Sequence, residues 1–137
     1  MVTRAQILIK REDSRDIYLY QNHDGYIEGP HGVGYQLCKK IQELLQKNST
    51  TRLQKMVNSI EEGEAECDTD YFVEFIEGNI AFEFNDTDDF HFNYLIDFDN
   101  EFAGAFIGFD PKYLIKLPFE LIRKGFTFTD IIQMIED

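Results

Sequence analysis

The run Tyr71-Phe-Val-Glu-Phe-Ile-Glu-Gly-Asn-Ile-Ala-Phe-Glu-Phe84 carries most of the weight in assigning a fold class to this 137-residue chain. Tyr71, Val73 and Phe75 alternate with Phe72, Glu74 and Ile76. Glu77-Gly-Asn79 has turn composition, and Ile80, Phe82 and Phe84 then alternate with Ala81 and Glu83. A period of two sends successive side chains to opposite faces of an extended backbone, so the run reads as two strands joined by a tight turn.

The same period continues downstream. After the polar loop Asn85-Asp-Thr-Asp-Asp89, the residues Phe90, Phe92, Tyr94, Ile96 and Phe98 alternate with His91, Asn93, Leu95, Asp97 and Asp99. Phe102 to Phe109 forms a last strand, in which Gly104 and Gly108 remove side chains from one face. The expectation is a four-stranded antiparallel meander with an aromatic face and a largely polar one. Asp110-Pro111 stops the sheet and starts a turn of helix. Pro118 to Lys124 suits a short helix with proline in its first turn, and Thr129 caps a final helix bearing Ile131, Ile132, Met134 and Ile135.

Upstream, Gln6-Ile-Leu-Ile9 and Ile17-Tyr-Leu-Tyr20 flank the polar cluster Glu12 to Asp16 and read as an antiparallel hairpin. Beyond the glycine-rich segment Asn22 to Gly34, Leu37, Ile41, Leu44 and Leu45 mark one face of a helix, with Lys39, Lys40, Glu43 and Lys47 off it. Asn48-Ser-Thr-Thr51 supplies caps for a second helix with Leu53, Met56, Val57 and Ile60 as its stripe, ended by Gly63. Glu61 to Asp70 has no period and reads as a solvated acidic connector. The fold class expected is α+β, an antiparallel sheet (N-terminal hairpin plus four-stranded meander) with helices packed on one face, in a single domain over 1–137.

Hydrophobic residues make up 43% of the chain and aromatics 15%, with thirteen phenylalanines and no tryptophan, a globular composition with a Phe-rich core. Cys38 and Cys67 have no CxxC partner and no histidines at zinc spacing, which disfavours a zinc cluster or a disulfide framework. The apolar run near the N-terminus is too short for a signal peptide, and nothing reaches the roughly 18 apolar residues of a membrane span, so a cytoplasmic protein is expected.

Charge is strongly polarised. The net charge is −13, yet residues 1–60 hold nine Lys/Arg against six Asp/Glu, whereas residues 61–137 hold four against twenty. Residues 61–101 hold fifteen carboxylates and no Lys or Arg. Such a field repels nucleic acid and attracts basic proteins or cations.

Two kinds of site suggest themselves. The first is the segment 22–34, where His23, Asp24, Glu28 and His31 combine imidazole and carboxylate donors suited to zinc, manganese or iron. Its glycines also run into a helix N-terminus, whose free amides suit a phosphate. No HExxH, Walker or GxGxxG signature accompanies it, and turn-forming glycines explain the same composition. Nucleophilic catalysis lacks an elbow motif around any of the three serines or two cysteines. Glu74, Glu83 and Asp97 share a sheet face in this reading, as does any solvated polar face.

The second site is the acidic stretch, where Glu64, Glu66, Asp68, Asp70, Asp86, Asp88 and Asp89 are placed to meet Lys and Arg on a partner. A run of carboxylates without intervening cations imitates the phosphate array of a nucleic acid and would occupy a basic groove.

Strand Tyr18-Leu-Tyr20, then His23-Asp-Gly25-Tyr26, Glu28-Gly29, Gly32-Val-Gly34 and a helix together resemble the N-terminal third of small uncharacterised bacterial and phage-borne proteins. Those proteins carry a strand, a His-Asp-Gly-Tyr-Pro-Glu-Gly-type loop and a helix. Ile27 stands where that loop has proline, and Pro30-His31 is an insertion. The resemblance covers about 30 residues and implies no activity. Small size, acidity and a lack of catalytic motif are similar to the profile of anti-CRISPR and other anti-defence inhibitors.

The function expected is therefore a non-enzymatic, cofactor-free inhibitor that occupies the nucleic-acid-binding surface of a basic protein, without touching nucleic acid or membrane itself. The alternative is a small metal- or phosphate-binding protein or enzyme built on loop 22–34. Exposed aromatic strands would also allow a homodimer.

Overall fold

The buried apolar residues Ile7, Ile9, Ile17 and Leu19 alternate with the half-buried Gln6, Leu8 and Tyr18, and in the computed structural model these runs are strands β1 (Ala5–Lys10) and β2 (Ile17–Gln21). The structure describes residues 3–11, 16–21, 23–60, 63–66, 71–78, 92–107 and 114–136. The two strands pair antiparallel with Ile7 opposite Leu19. Helix α1 (Val33–Lys47) buries Leu37, Cys38, Ile41, Leu44 and Leu45 along one face. Helix α2 (Thr50–Asn58) starts at Ser49, whose Oγ accepts a hydrogen bond from the Arg52 amide at 3.2 Å. That side-chain oxygen satisfies one of the orphan donors of the first turn.

The remaining elements are β3 (Gly63–Glu66), α3 (Phe72–Ile76), β4 (Phe92–Asp97), β5 (Phe102–Ile107), β6 (Ile115–Pro118), α4 (Phe119–Arg123) and α5 (Phe128–Glu136). The six strands form one mixed sheet in the order β3-β2-β1-β4-β5-β6. β1 runs parallel to β4, with Ile7 opposite Tyr94 and Ile9 opposite Ile96, and β2 runs parallel to β3. The β1–β2, β4–β5 and β5–β6 pairs are antiparallel.

This corrects the expectation of an antiparallel sheet with a four-stranded meander. Tyr71 to Ile76 is not a strand: Phe72, Val73, Phe75 and Ile76 are buried around the exposed Glu74, and α3 packs against α1. Positions 72, 75 and 76 lie on one side of a helix as readily as 71, 73 and 75 lie on one side of a strand. A six-residue apolar run carries both periods, and burial against α1 selects the helix. Ile80 to Phe84 lies outside the described residues.

Part of the acidic connector is also a strand, because β3 pairs with β2 through its backbone, Gly63 opposite Ile17 and Glu66 opposite Tyr20. β2, the two helices and β3 thus make a parallel crossover that no local period announces. Near the C-terminus, Ile115–Pro118 adds an edge strand that was not expected. The last helix begins at Phe128, before Thr129. Thr127 precedes it, and its amide and hydroxyl both donate to Asp130 Oδ2, at 2.7 and 3.2 Å, so the Asp130 carboxylate closes the start of the helix.

The core is a single cluster. The register aligns Leu19, Ile7, Tyr94 and Ala105 across the sheet, and Ile17, Ile9, Ile96 and Ala103 one pleat along. Packed with them are Leu37 and Ile41 of α1, Leu53 and Val57 of α2, Phe72 and Phe75 of α3, Phe119 and Ile122 of α4, and Phe128 of α5. Phe98 meets Phe119 edge-on with centroids 5.5 Å apart. On the sheet's other face Leu8, Tyr18 and Leu95 are half-buried, and Gly104 admits Leu114 where a Cβ would stand 2.7 Å from Leu114 Cδ1. Among the described residues no helix is long and apolar enough to cross a membrane.

The β4–β5 turn depends on Asp97, which is 3% exposed. Its Oδ1 accepts from the amides of Asp99 (3.1 Å) and Asn100 (2.9 Å), and its Oδ2 from Asn100 Nδ2 at 2.8 Å. Those bonds support Glu101 at φ 60°, in the left-handed region. Asp97→Ala is expected to lower unfolding free energy by about 1–3 kcal/mol, because it leaves part-buried donors without their charged acceptor. Asp97→Asn, which keeps an acceptor for the two amides, should cost less. Denaturant titration of the two variants compares them directly.

Candidate functional site

The glycine-rich segment is held by its own backbone. The Gly25 amide donates to Thr3 O at 3.0 Å, and a Cβ on Gly25 would stand 2.9 Å from the Arg4 carbonyl. The buried Tyr94 hydroxyl donates to Gly25 O at 2.7 Å, and burial pushes the Tyr94 phenol's pKa up. Gln21 Nε2 donates to His23 O at 2.8 Å, and Gln36 Nε2 to Pro30 O at 2.6 Å. Asp24 takes φ 56°, and its Oδ1 accepts from the Tyr26 hydroxyl at 2.8 Å. That bond to the carboxylate raises the pKa of the Tyr26 phenol.

The anion-cradle expectation meets a specific obstacle. The first amides of α1 are already engaged: Val33 donates to Asp24 O at 2.8 Å and Gly34 to Tyr26 O at 3.3 Å. Those N–H groups cannot also face a phosphate. Of the four candidate ligands, His23, Glu28 and His31 are exposed, and Asp24 is occupied by Tyr26. Among the described residues no three His, Cys, Asp or Glu side chains gather where they could hold a metal ion. His91 and Glu83 lie outside the described residues, and Asp97 is committed to its turn.

Along the acidic stretch, the backbones of Glu64 and Glu66 lie on β3 opposite Tyr18 and Tyr20. Asp68, Asp70, Asp86, Asp88 and Asp89 lie outside the described residues. Within the described parts, Glu74, Glu77 and Glu101 are exposed.

Cations collect elsewhere. Helices α1, α2 and α4 carry Lys39, Lys40, Lys47, Arg52, Lys55 and Arg123 against Glu43 and Glu120. Lys47 pairs with Glu43 at 3.1 Å within α1, and Arg123 Nη2 donates to Thr50 Oγ1 at 2.7 Å. One residue passed over in the sequence is Arg11, buried at the end of β1, whose guanidinium binds the carbonyl of Val57 in the last turn of α2 and that of Ile60 just beyond it. A lone arginine beside a turn gives no periodic signal, and only the tertiary structure reveals what it touches.

No protein-family model, no curated protein and no solved structure matches the chain.

Two tests follow from this geometry. A Cβ on Gly34 would run into Ile27 O, whereas at Gly29, with φ 91°, it would meet open space. Gly34→Ala should therefore destabilise by about 1–3 kcal/mol through overpacking against rigid backbone, and Gly29→Ala by about 1 kcal/mol through strain alone. Thermal unfolding of the two variants should rank them in that order.

The second test concerns Cys38, whose thiol burial pushes up to about 12. Since the folded state holds its proton more tightly than the unfolded chain, the stability from this group is full below the unfolded thiol's pKa. It is lost as pH rises from about 9 toward about 12. In a Cys67→Ser variant, a thiol reagent at pH 8 should leave Cys38 unmodified until denaturant is added.

Proposed function

We propose that this protein is a non-enzymatic interaction protein that occupies the nucleic-acid-binding surface of a basic partner through residues 61–101. The observation that carries the reading is the run of fifteen carboxylates without a single Lys or Arg over those residues. An ordinary surface interleaves signs, because uncompensated like charges repel one another in the folded state. Here every Lys and Arg lies outside the stretch, six of the thirteen on α1, α2 and α4, so the stretch itself offers an anionic array to a partner. Glu64, Glu66, Asp68, Asp70, Asp86, Asp88 and Asp89 are its contact residues in this reading.

The exposed positions of Glu74, Glu77 and Glu101 agree with it, and so does the engagement of the α1 amides, which leaves loop 22–34 a structural role. An anti-defence inhibitor of the anti-CRISPR kind, carried by a phage or mobile element and acting in the cytoplasm, is the class this profile fits by analogy.

Affinity capture from a bacterial lysate at low salt should retain a nucleic-acid-binding protein that elutes steeply as salt rises, because exposed charge pairs are screened. Added nucleic acid should displace it, and joint charge reversal at Asp86, Asp88 and Asp89 should abolish retention. A bound partner that survives both high salt and charge reversal would refute the proposal.

A further inference from the structure

Resting on that reading, we infer that Arg11 is a positioning residue: it clamps the exit of α2 so that the acidic stretch enters the sheet as an ordered strand. Arg11 is 4% exposed, immediately after β1. Its Nη1 donates to Val57 O at 3.1 Å and to Ile60 O at 2.8 Å. Val57 O is among the last carbonyls of α2, at the negative end of its dipole, and also accepts from the Ile60 amide at 3.2 Å, while Ile60 lies two residues past the helix, so the guanidinium bridges the helix end and the chain that leaves it.

The position of the clamp matters because of what comes next. Ile60 is the last residue before the carboxylate-rich run begins at Glu61, and by Gly63 the backbone is already in register with β2, Gly63 opposite Ile17. On its other side the Arg11 amide reaches Asp16 Oδ1 at 3.5 Å, one residue before Ile17 opens β2. Arg11 therefore touches Asp16, just before β2, and Ile60, three residues before β3. It joins the end of α2 to the strand on which β3 must pair.

Gly63-Glu-Ala-Glu66 offers only the small Ala65 as an apolar side chain, so little besides backbone pairing holds it against the sheet, and repulsion among the carboxylates favours its release. Anchoring the residues just before it limits the conformations open to the strand and lowers the entropy lost when β3 pairs. A basic partner then meets Glu64 and Glu66 at a set register and not on a loose tail, which reduces the ordering cost of binding.

Hydrogen exchange of the full chain tests the clamp without any partner. In Arg11→Met, amides of β3 should exchange at least about tenfold faster, the factor expected from losing charge-assisted hydrogen bonds. Amides of β1 and β4 should keep their protection, and Arg11→Lys should fall between. Unchanged exchange in β3, or equal loss of protection throughout the sheet, would overturn the inference.

Should Arg11→Met fail to fold, the unmodified protein gives the answer in low denaturant. Ser59, Ile60 and the β3 amides should exchange through one shared opening, below the opening that exposes β1 and β4. Separate openings, or opening of β3 only on global unfolding, would overturn it. Because exchange is read without a partner, failure of the capture experiment would count against the partner reading and leave the clamp standing.

Discussion

The parallel pairing of β1 with β4 is the constraint from which the rest of the fold follows. It joins residues 5–10 to residues 92–97 at the centre of the sheet, so everything between must leave one side of β1 and return on the other. Parallel neighbours cannot be joined by a tight turn. The intervening chain accordingly builds β2 and β3 on one flank and supplies α1, α2 and α3 to the core. β4 then extends the other flank through β5 and β6. Ile7, Ile9, Tyr94 and Ile96 sit opposite one another in this pair and are all almost fully buried. Their faces fix which side of every other strand meets the helices, since a one-residue slip would invert the whole sheet's pattern.

What was legible in the sequence was what depends on local spacing. The hairpin of β1 and β2, the two amphipathic helices and the strands of β4 and β5 all follow from periodic apolar residues or a cap such as Ser49. Parallel contacts are set between distant segments, and no window of residues contains them. The misreading of Tyr71 to Ile76 has the same origin: with five of its six residues apolar, the run fits either period, and the choice was made by the neighbouring surface of α1. β3 was hidden for the opposite reason. Gly63-Glu-Ala-Glu66 has almost no apolar signal, and it becomes a strand through backbone pairing to β2.

The candidate sites divide along similar lines. The glycines of 22–34 were rightly conspicuous, but composition could not tell whether the amides of the segment face a ligand or the protein. The structure directs the Val33 and Gly34 amides to carbonyls of the loop itself. A cradle whose donors are internally satisfied is a fixed turn, and its exposed histidines are left without a common focus. Arg11 went unremarked because its importance lies in where Val57 and Ile60 end up, which no local pattern records.

Charge polarity ties the fold to the proposed function. The cations of α1 and α2 precede the acidic run in sequence, and α3, which lies within that run, packs on α1. Opposite charges on adjoining parts of one chain partly compensate at close range, but beyond a Debye length of about 8 Å at physiological salt each patch is felt separately. In the proposed reading, a partner approaching residues 61–101 responds to that stretch and far less to the lysines and arginines of α1, α2 and α4. The same screening makes order in the stretch valuable: once long-range attraction is damped, affinity depends on contacts formed at close quarters. Carboxylates held in register by a strand make those contacts at lower entropic cost than carboxylates on an unanchored chain.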